Sequence, residues 1–220
     1  MSIPTYLREQ IRLGSETTLT YQLPLARLCQ ALAGIRNSRS PLYGSCDFVG
    51  TTMDLYFMRH GIAGPGSDPG IRSDRERALT QKGIKRMRKA AKGLLALGIP
   101  FDRILTSPLK RSRQTADLLG QALKMEDRLE EVQELSPGRS IQELLSCLGG
   151  FEGKKHLLLV GHEPLLSETV SFLISGAQKT DMRIKKGGLC CVTVDNLPAK
   201  KGAFLRWMLT PKQLRLLAHS

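Results

Sequence analysis

From Met53 to the end of the chain, short apolar runs alternate with stretches whose apolar residues recur every three or four positions. Asp54 to Arg59 ("DLYFMR") is apolar enough for a buried strand. Thr80 to Leu97 then places Ile84, Met87, Ala91 and Leu94 on one face of a helix. Lys82, Lys85, Arg86, Lys89 and Lys92 fall mainly on the other face, which reads as a solvated surface rather than a binding site. Arg103 to Ser107 ("RILTS") predicts a second strand, leading into a helix that ends near Leu123, with Ser107 as its N-cap and Pro108 in its first turn. Ser140 and Glu143 have capping-box spacing ahead of a helix whose buried stripe is Ile141, Leu144, Leu145 and Leu148. His156 to Gly161 ("HLLLVG") is too uniformly apolar to be half exposed, so it is expected at the centre of a sheet covered on both faces. Pro164 opens a further helix carrying Leu165, Leu166, Val170 and Leu173. Near the end, "GLCCVTVD" and "AFLRWML" flank "NLPAKKG" as an antiparallel hairpin, and Thr210 with Pro211 starts a closing helix. This order predicts an α/β protein: a three-layer α/β/α sandwich with a mostly parallel central sheet and a C-terminal antiparallel hairpin.

Residues 1–52 follow a different pattern. They contain no lysine and only three acids (Glu9, Glu16 and Asp47), and they end in a stretch rich in Ser, Pro and Gly. The expectation is an N-terminal extension, either poorly ordered or an over-extended start ahead of Met53, followed by one domain over 53–220. Its acid-poor, arginine- and serine-bearing character faintly resembles an organelle transit peptide, and it lacks the apolar run of a secretory signal. The 220 residues suit a single core, and no apolar run reaches the roughly 20 residues of a membrane span. A formal charge of +13 favours acidic partners without choosing among phosphates, proteins, nucleic acid and anionic membranes. The five cysteines are odd in number and show no C-x-x-C spacing, so neither a disulfide framework nor a zinc site is indicated, and a cytoplasmic location fits. Of the adjacent Cys190 and Cys191, one is expected to face a core.

Candidate chemistry collects where strands end, the usual position for a site in an open α/β sheet. The first strand ends in Arg59-His60-Gly61, the second leads into "TSPLKRSRQTA" with Arg111 and Arg113, and the central strand ends in Gly161-His162-Glu163-Pro164. Taken singly, each has an ordinary structural reading: a hydrogen-bonded histidine, or an exposed arginine on a first helical turn. Converging, the arginines would repel one another unless an anion sat among them, and a phosphoryl group is the natural guest.

The segments "RHG", "TSPLKRSRQTA" and "VGHEP", in this order, resemble the signature of the histidine phosphatase superfamily, which includes phosphoglycerate mutases and many phosphatases. The likeness spans Met53 to about Leu209 and is nearest to SixA-type phosphohistidine phosphatases, through "MDLYFMRHGIA", "RALTQKG" and the short chain between motifs. The resemblance implies a phosphatase with His60 as nucleophile, Arg59 and Arg111 as phosphate ligands, and His162 as a donor from the opposite side. It implies no metal or other cofactor. Arg113, two residues on from Arg111, is turned away by roughly 200°. Arg77 is placed at the mouth of the site, with a surface salt bridge as its alternative role. For a general acid, Glu134 fits best among Glu130, Glu131 and Glu134, its alternative being an exposed loop carboxylate. An imidazole leaving group acquires its own proton more readily than an alkoxide, so a phosphohistidine substrate depends less on such an acid.

The expected partner is a phosphorylated protein bearing phosphohistidine, because a short chain without long lids leaves an open site. The alternative within enzymes is a small phosphate ester, and the alternative of another class is a non-catalytic phosphate- or nucleic-acid-binding protein. Mutase activity is disfavoured, because little chain is available to enclose a bisphosphate. Trp207 is the only tryptophan and aromatic residues are sparse, which argues against specific nucleic-acid recognition. No membrane association is expected, and the chain is expected to be monomeric.

Overall fold

The computed structural model describes residues 52–65, 73–176, 181–195 and 203–219. The expectation for the N-terminal extension therefore lies outside the described residues except at Thr52, as does the turn of the predicted hairpin, 196–202. The strands are β1 (Met53–Arg59), β2 (Arg103–Thr106), β3 (Leu129–Glu131), β4 (His156–Gly161), β5 (Leu189–Val194) and β6 (Phe204–Leu209). The helices are α1 (Gln81–Ala96), α2 (Lys110–Leu123), α3 (Ile141–Gly149), α4 (Leu165–Ser175) and α5 (Pro211–Leu216). They flank one six-stranded sheet of order β3-β2-β4-β1-β5-β6, parallel from β3 to β1 and antiparallel from β1 to β6. The expected sandwich is present, with β4 inside the parallel half. Only β3 has no counterpart in the sequence reading, since three residues at a sheet edge are too few to show a period.

Alternation along each central strand divides the core in two, as the pleat requires. Leu55, Phe57, Leu157 and Leu159 face Leu144, Leu148, Leu166 and Val170 of α3 and α4. Tyr56, Met58, Leu158 and Val160 face Met87, Leu94, Leu119 and Leu214 of α1, α2 and α5. The same alternation corrects the cysteine expectation: both are buried, Cys190 on the first side and Cys191 on the second. Burial pushes the Cys190 thiol up to about 12, so it is an inert core side chain.

Register places the site. Arg59 of β1 lies opposite Gly161 of β4, and Thr106 of β2 opposite Val160, so three parallel strands end at nearly one level. The His60 N–H donates to Gly161 O (3.1 Å) and the Ser107 N–H to Val160 O (3.1 Å), carrying the alignment one residue past the sheet. The capping of α1 draws it close to this edge. Thr80 Oγ1 accepts from the Gly83 N–H (3.0 Å), while the Thr80 N–H donates to Ile62 O (2.9 Å). A Cβ on Gly83 would stand 2.1 Å from Ile62 O, so only glycine permits this approach.

Candidate active site

His60 is 6% exposed, and its Nδ1 lies 2.7 Å from Gly61 O. A carbonyl only accepts, so the proton of the neutral ring sits on Nδ1 and the lone pair on Nε2. Burial, then the charges of Arg111, Arg59 and Lys186, outweigh the supporting Gly61 hydrogen bond and lower the imidazole to about 3. The ring is therefore neutral throughout the physiological range. The Gly61 N–H donates to Thr115 Oγ1 (3.0 Å), and that hydroxyl donates to Arg111 O (2.7 Å), tying the His60 turn to the first turns of α2.

His162 is 2% exposed, with its ring centroid 5.0 Å from that of His60. Its Nε2 lies 2.9 Å from Ser107 Oγ, which already accepts the Leu109 N–H at 3.3 Å. With the Ser107 hydroxyl donating to Nε2 the His162 proton sits on Nδ1, and with Nε2–H donating to the hydroxyl Nδ1 carries the lone pair. Burial first, then His60, Arg111 and Arg59, lower this ring to about 3 as well, with Asp74 opposing. In the first of these tautomers a neutral His162 presents an N–H at Nδ1. Ser107 therefore corrects the sequence reading. α2 begins at Lys110 with Leu109 at its cap position and no side-chain cap, and the Ser107 hydroxyl is used on His162 instead.

Arg59 is fixed through its own backbone and through the 184–188 segment. NH1 donates to Ile184 O (3.1 Å), and the strand closes on Gly187 and Gly188 through the Gly187 N–H to Arg59 O (2.9 Å) and the Arg59 N–H to Gly188 O (3.3 Å). Glu163 in turn accepts from the Ile184 N–H (2.9 Å) and from Ser167 Oγ, so the residue after His162 holds the loop that holds Arg59. Arg111 is 4% exposed. NH1 donates to Asp74 O (2.7 Å) and NH2 to Asp74 Oδ2 (2.8 Å). Its terminal fork is thus occupied within the protein, and Nε is the nitrogen left over. Arg77 is the second partner of Asp74, with NH1 2.6 Å from Oδ1 and Nε donating to Gly64 O (3.0 Å). Against the upward push of partial burial, hydrogen bonds from Arg77 and Arg111 hold the Asp74 carboxyl below its ordinary range. Arg113 turns outward to Asp117 and Glu131, both at 2.8 Å.

Among the described residues, four buried side-chain polar atoms lack a hydrogen-bond partner: Arg59 Nε, Arg111 Nε, His162 Nδ1 and Ser136 Oγ. Three belong to this one site: the two guanidinium nitrogens carry N–H, and His162 Nδ1 carries one when the Ser107 hydroxyl donates to Nε2. A buried unpaired donor costs about 1–3 kcal/mol, so a fold that collects three beside one another has a use for them. No group of three His, Cys, Asp or Glu side chains suited to a metal ion occurs among the described residues.

Structure thus brings His60, His162, Arg59 and Arg111 together, with Arg77 one carboxylate removed. Glu134 is oriented differently: it sits in the turn Gln133–Leu135 and hydrogen-bonds the Cys147 thiol, which burial and this carboxylate push up to about 11. The sequence reading did not single out Asp74, Ser107, Thr115 and Glu163 as supports. Ser107 and Thr115 lie inside the quoted "TSPLKRSRQTA", and their depth below the surface was the missing signal.

Comparison with known proteins gives the family. The family profile described as Histidine phosphatase superfamily (branch 1) matches residues 55–144. The chain is 34% identical over 131 residues to a phosphohistidine phosphatase SixA homolog of Haemophilus influenzae, covering 55% of this chain and 77% of that one. It belongs to the histidine phosphatase superfamily. As a member of that superfamily the protein is a phosphatase, a hydrolase of phosphoryl groups. Phosphohistidine phosphatase SixA of Escherichia coli is 28% identical over 166 residues, covering 74% of this chain and 98% of its own. The solved structure of the protein histidine phosphatase SixA complexed with tungstate superposes with a TM-score of 0.65 at 28% identity, covering 74% and 99% of the two chains. A phosphoglycerate mutase from Bacillus anthracis shares the fold at a TM-score of 0.56 and 14% identity, covering 78% and 98%.

Proposed function

We propose that this phosphatase hydrolyses phosphohistidine in a phosphoprotein, through a covalent phosphohistidine on His60. The observation that carries the reading is the set of three buried, unpartnered nitrogens, Arg59 Nε, Arg111 Nε and His162 Nδ1, beside a neutral His60 ring with its lone pair on Nε2; with the Ser107 hydroxyl donating to His162 Nε2, all three are N–H donors. The lone pair attacks phosphorus, the bond to the leaving imidazole nitrogen of the substrate breaks, and that nitrogen takes up a proton from solvent water. The Nδ1–H held by Gly61 O offsets the positive charge that the ring acquires when Nε2 is phosphorylated. Arg59 Nε, Arg111 Nε and His162 Nδ1 donate to the nonbridging oxygens and stabilise their charge in the transition state. Water then attacks the phosphoryl group on His60, releasing inorganic phosphate and restoring the neutral ring. Arg77 acts at the mouth by holding Asp74, and so Arg111, in position. The imidazole leaving group relieves Glu134 of a general-acid role; with an ester substrate Glu134 is the candidate for that proton.

The test is trapping with substrate choice. A labelled phosphoramidate donor, followed by an alkaline quench and peptide mapping, is expected to place acid-labile label on His60 and none on His60→Ala. A phosphohistidine peptide is expected to exceed sugar phosphates in kcat/KM by at least about tenfold, the equivalent of 1.4 kcal/mol of transition-state binding. Label on another residue would overturn the nucleophile, and preference for the sugar phosphates would overturn the substrate.

A further inference from the structure

Next to the phosphate site lies a groove of about 620 Å³, bounded by Arg59 and Gly61 at the site, by α1, by residues 185–187 and by the first turn of α5. Five further cations line it: Arg86, Lys185, Lys186, Lys212 and Arg215. No acidic side chain does, and none of the five forms a salt bridge among the described residues. Four of them are exposed and Arg215 is half-buried. Elsewhere Arg113 is compensated by Asp117 and Glu131 and Arg139 by Glu143, whereas Lys85, Arg88, Lys89 and Lys92 on α1 also lack salt bridges among the described residues; the groove is set apart by gathering five such cations beside Arg59 and Gly61. Uncompensated like charges around one concavity repel, and low-dielectric walls sharpen the field, so the groove favours an anionic occupant.

The floor restricts what that occupant is. Met87, Ala90 and Pro211 are among the residues lining the groove, giving it an apolar base beneath a cationic rim. A bare phosphate would satisfy the rim and leave the base in water. Among the described residues no aromatic side chain lines it, so these offer bases no stacking surface. It is concave, which suits an inserted chain rather than a flat lipid surface. A peptide with alternating acidic and apolar side chains matches both the rim and the floor.

We propose that this groove docks an acidic segment of the phosphoprotein substrate, flanking the phosphohistidine that enters at Arg59. This deepens the phosphohistidine reading and rests on it for the identity of the partner. Because the groove meets the catalytic site at Arg59 and Gly61, a segment seated there is continuous with a phosphoryl group on His60. Its contacts are made equally in the ground and transition states, so they lower KM and leave kcat unchanged.

The experiment separates docking from turnover. Binding of a fluorescent, unphosphorylated peptide of alternating Glu and Leu is followed by anisotropy on the full chain, beside the same peptide with Gln for Glu. The acidic peptide is expected to bind at least about tenfold more tightly at low salt, a gain that fades as ionic strength rises. The triple variant Arg86→Glu, Lys212→Glu, Arg215→Glu removes the gain, and so does the milder Arg86→Gln, Lys212→Gln pair in part. Hydrolysis of a small aryl phosphate by both variants stays within about twofold of the unaltered protein, which also reports that they fold. Equal binding of the two peptides, or an acidic preference that survives in the variants, overturns the proposal. Tighter, variant-sensitive binding to a DNA duplex or to phosphatidylserine vesicles also overturns it. If the acidic peptide binds as expected while phosphohistidine peptides resist cleavage, the groove stands and the substrate reading falls.

Discussion

At the residue scale, two buried imidazoles 5.0 Å apart would be a liability if either were charged. Neutral, with opposite hydrogen-bonding assignments, they divide the work. Gly61 O takes the Nδ1 proton of His60 and leaves the lone pair on Nε2, and in the proposed mechanism the Ser107 hydroxyl donates to Nε2 of His162 so that its Nδ1–H faces the phosphoryl group. Histidine side-chain NMR of the phosphate-free protein is expected to show both rings neutral, as Nδ1–H tautomers, from pH 8 down to about pH 5. Titration of either ring near its ordinary value, or an Nε2–H signal from His60, contradicts the assignment. Sequence placed these two rings and Arg59 and Arg111 at strand ends. It did not place Asp74, because a carboxylate at the start of a short turn has no pattern of its own, and only tertiary contact sets it on Arg111.

At the element scale, the site depends on how closely α1 approaches the turn after β1. The Thr80 cap and Gly83 set that approach, and a Cβ on Gly61 would stand 2.6 Å from Met87 Cγ on the same helix. Gly83→Ala pushes a methyl against backbone carbonyl oxygen, which cannot rotate away. Overpacking of this kind costs about 1–3 kcal/mol, with a fall in phosphatase activity as the His60 turn shifts. Urea denaturation checks the first and turnover of a small aryl phosphate the second; an unchanged midpoint would show that α1 moves freely. Most elements were legible because each has its own signature: the capping box at Ser140, the threonine-proline start of α5, and the apolar run of β4. The start of α2 was not. A serine-proline pair after a strand reads as a cap locally, and the competing claim on Ser107 comes from His162, 55 residues away.

At the scale of the whole molecule, the site is linked to stability. Each histidine has a folded-state value lowered to about 3, so the unfolded chain binds more protons wherever pH lies between that value and the ordinary 6.5. Stability is therefore full above about pH 6.5 and is lost as pH falls through that window. Between pH 7 and pH 5 the expected loss is about 1–2 kcal/mol per imidazole, measured as a fall in the urea midpoint in phosphate-free buffer. Replacing both by asparagine should flatten that dependence. A midpoint that rises on acidification would mean the rings are charged in the folded protein. Among the described residues no helix is long and apolar enough to cross a membrane, and five cations besides Arg59 line the groove.

Sequence alone determined the periodicities, hence the helices and strands, their α/β order, and the three segments that carry the chemistry, because these are local properties of side-chain size, charge and spacing. Tertiary structure alone decided which nitrogen of His60 holds the proton, that Asp74 clamps both Arg77 and Arg111, and which basic residues of α1 and α5 face a common groove. Those outcomes depend on burial and on hydrogen bonds between residues far apart in the chain, and neither can be read from a stretch of neighbours.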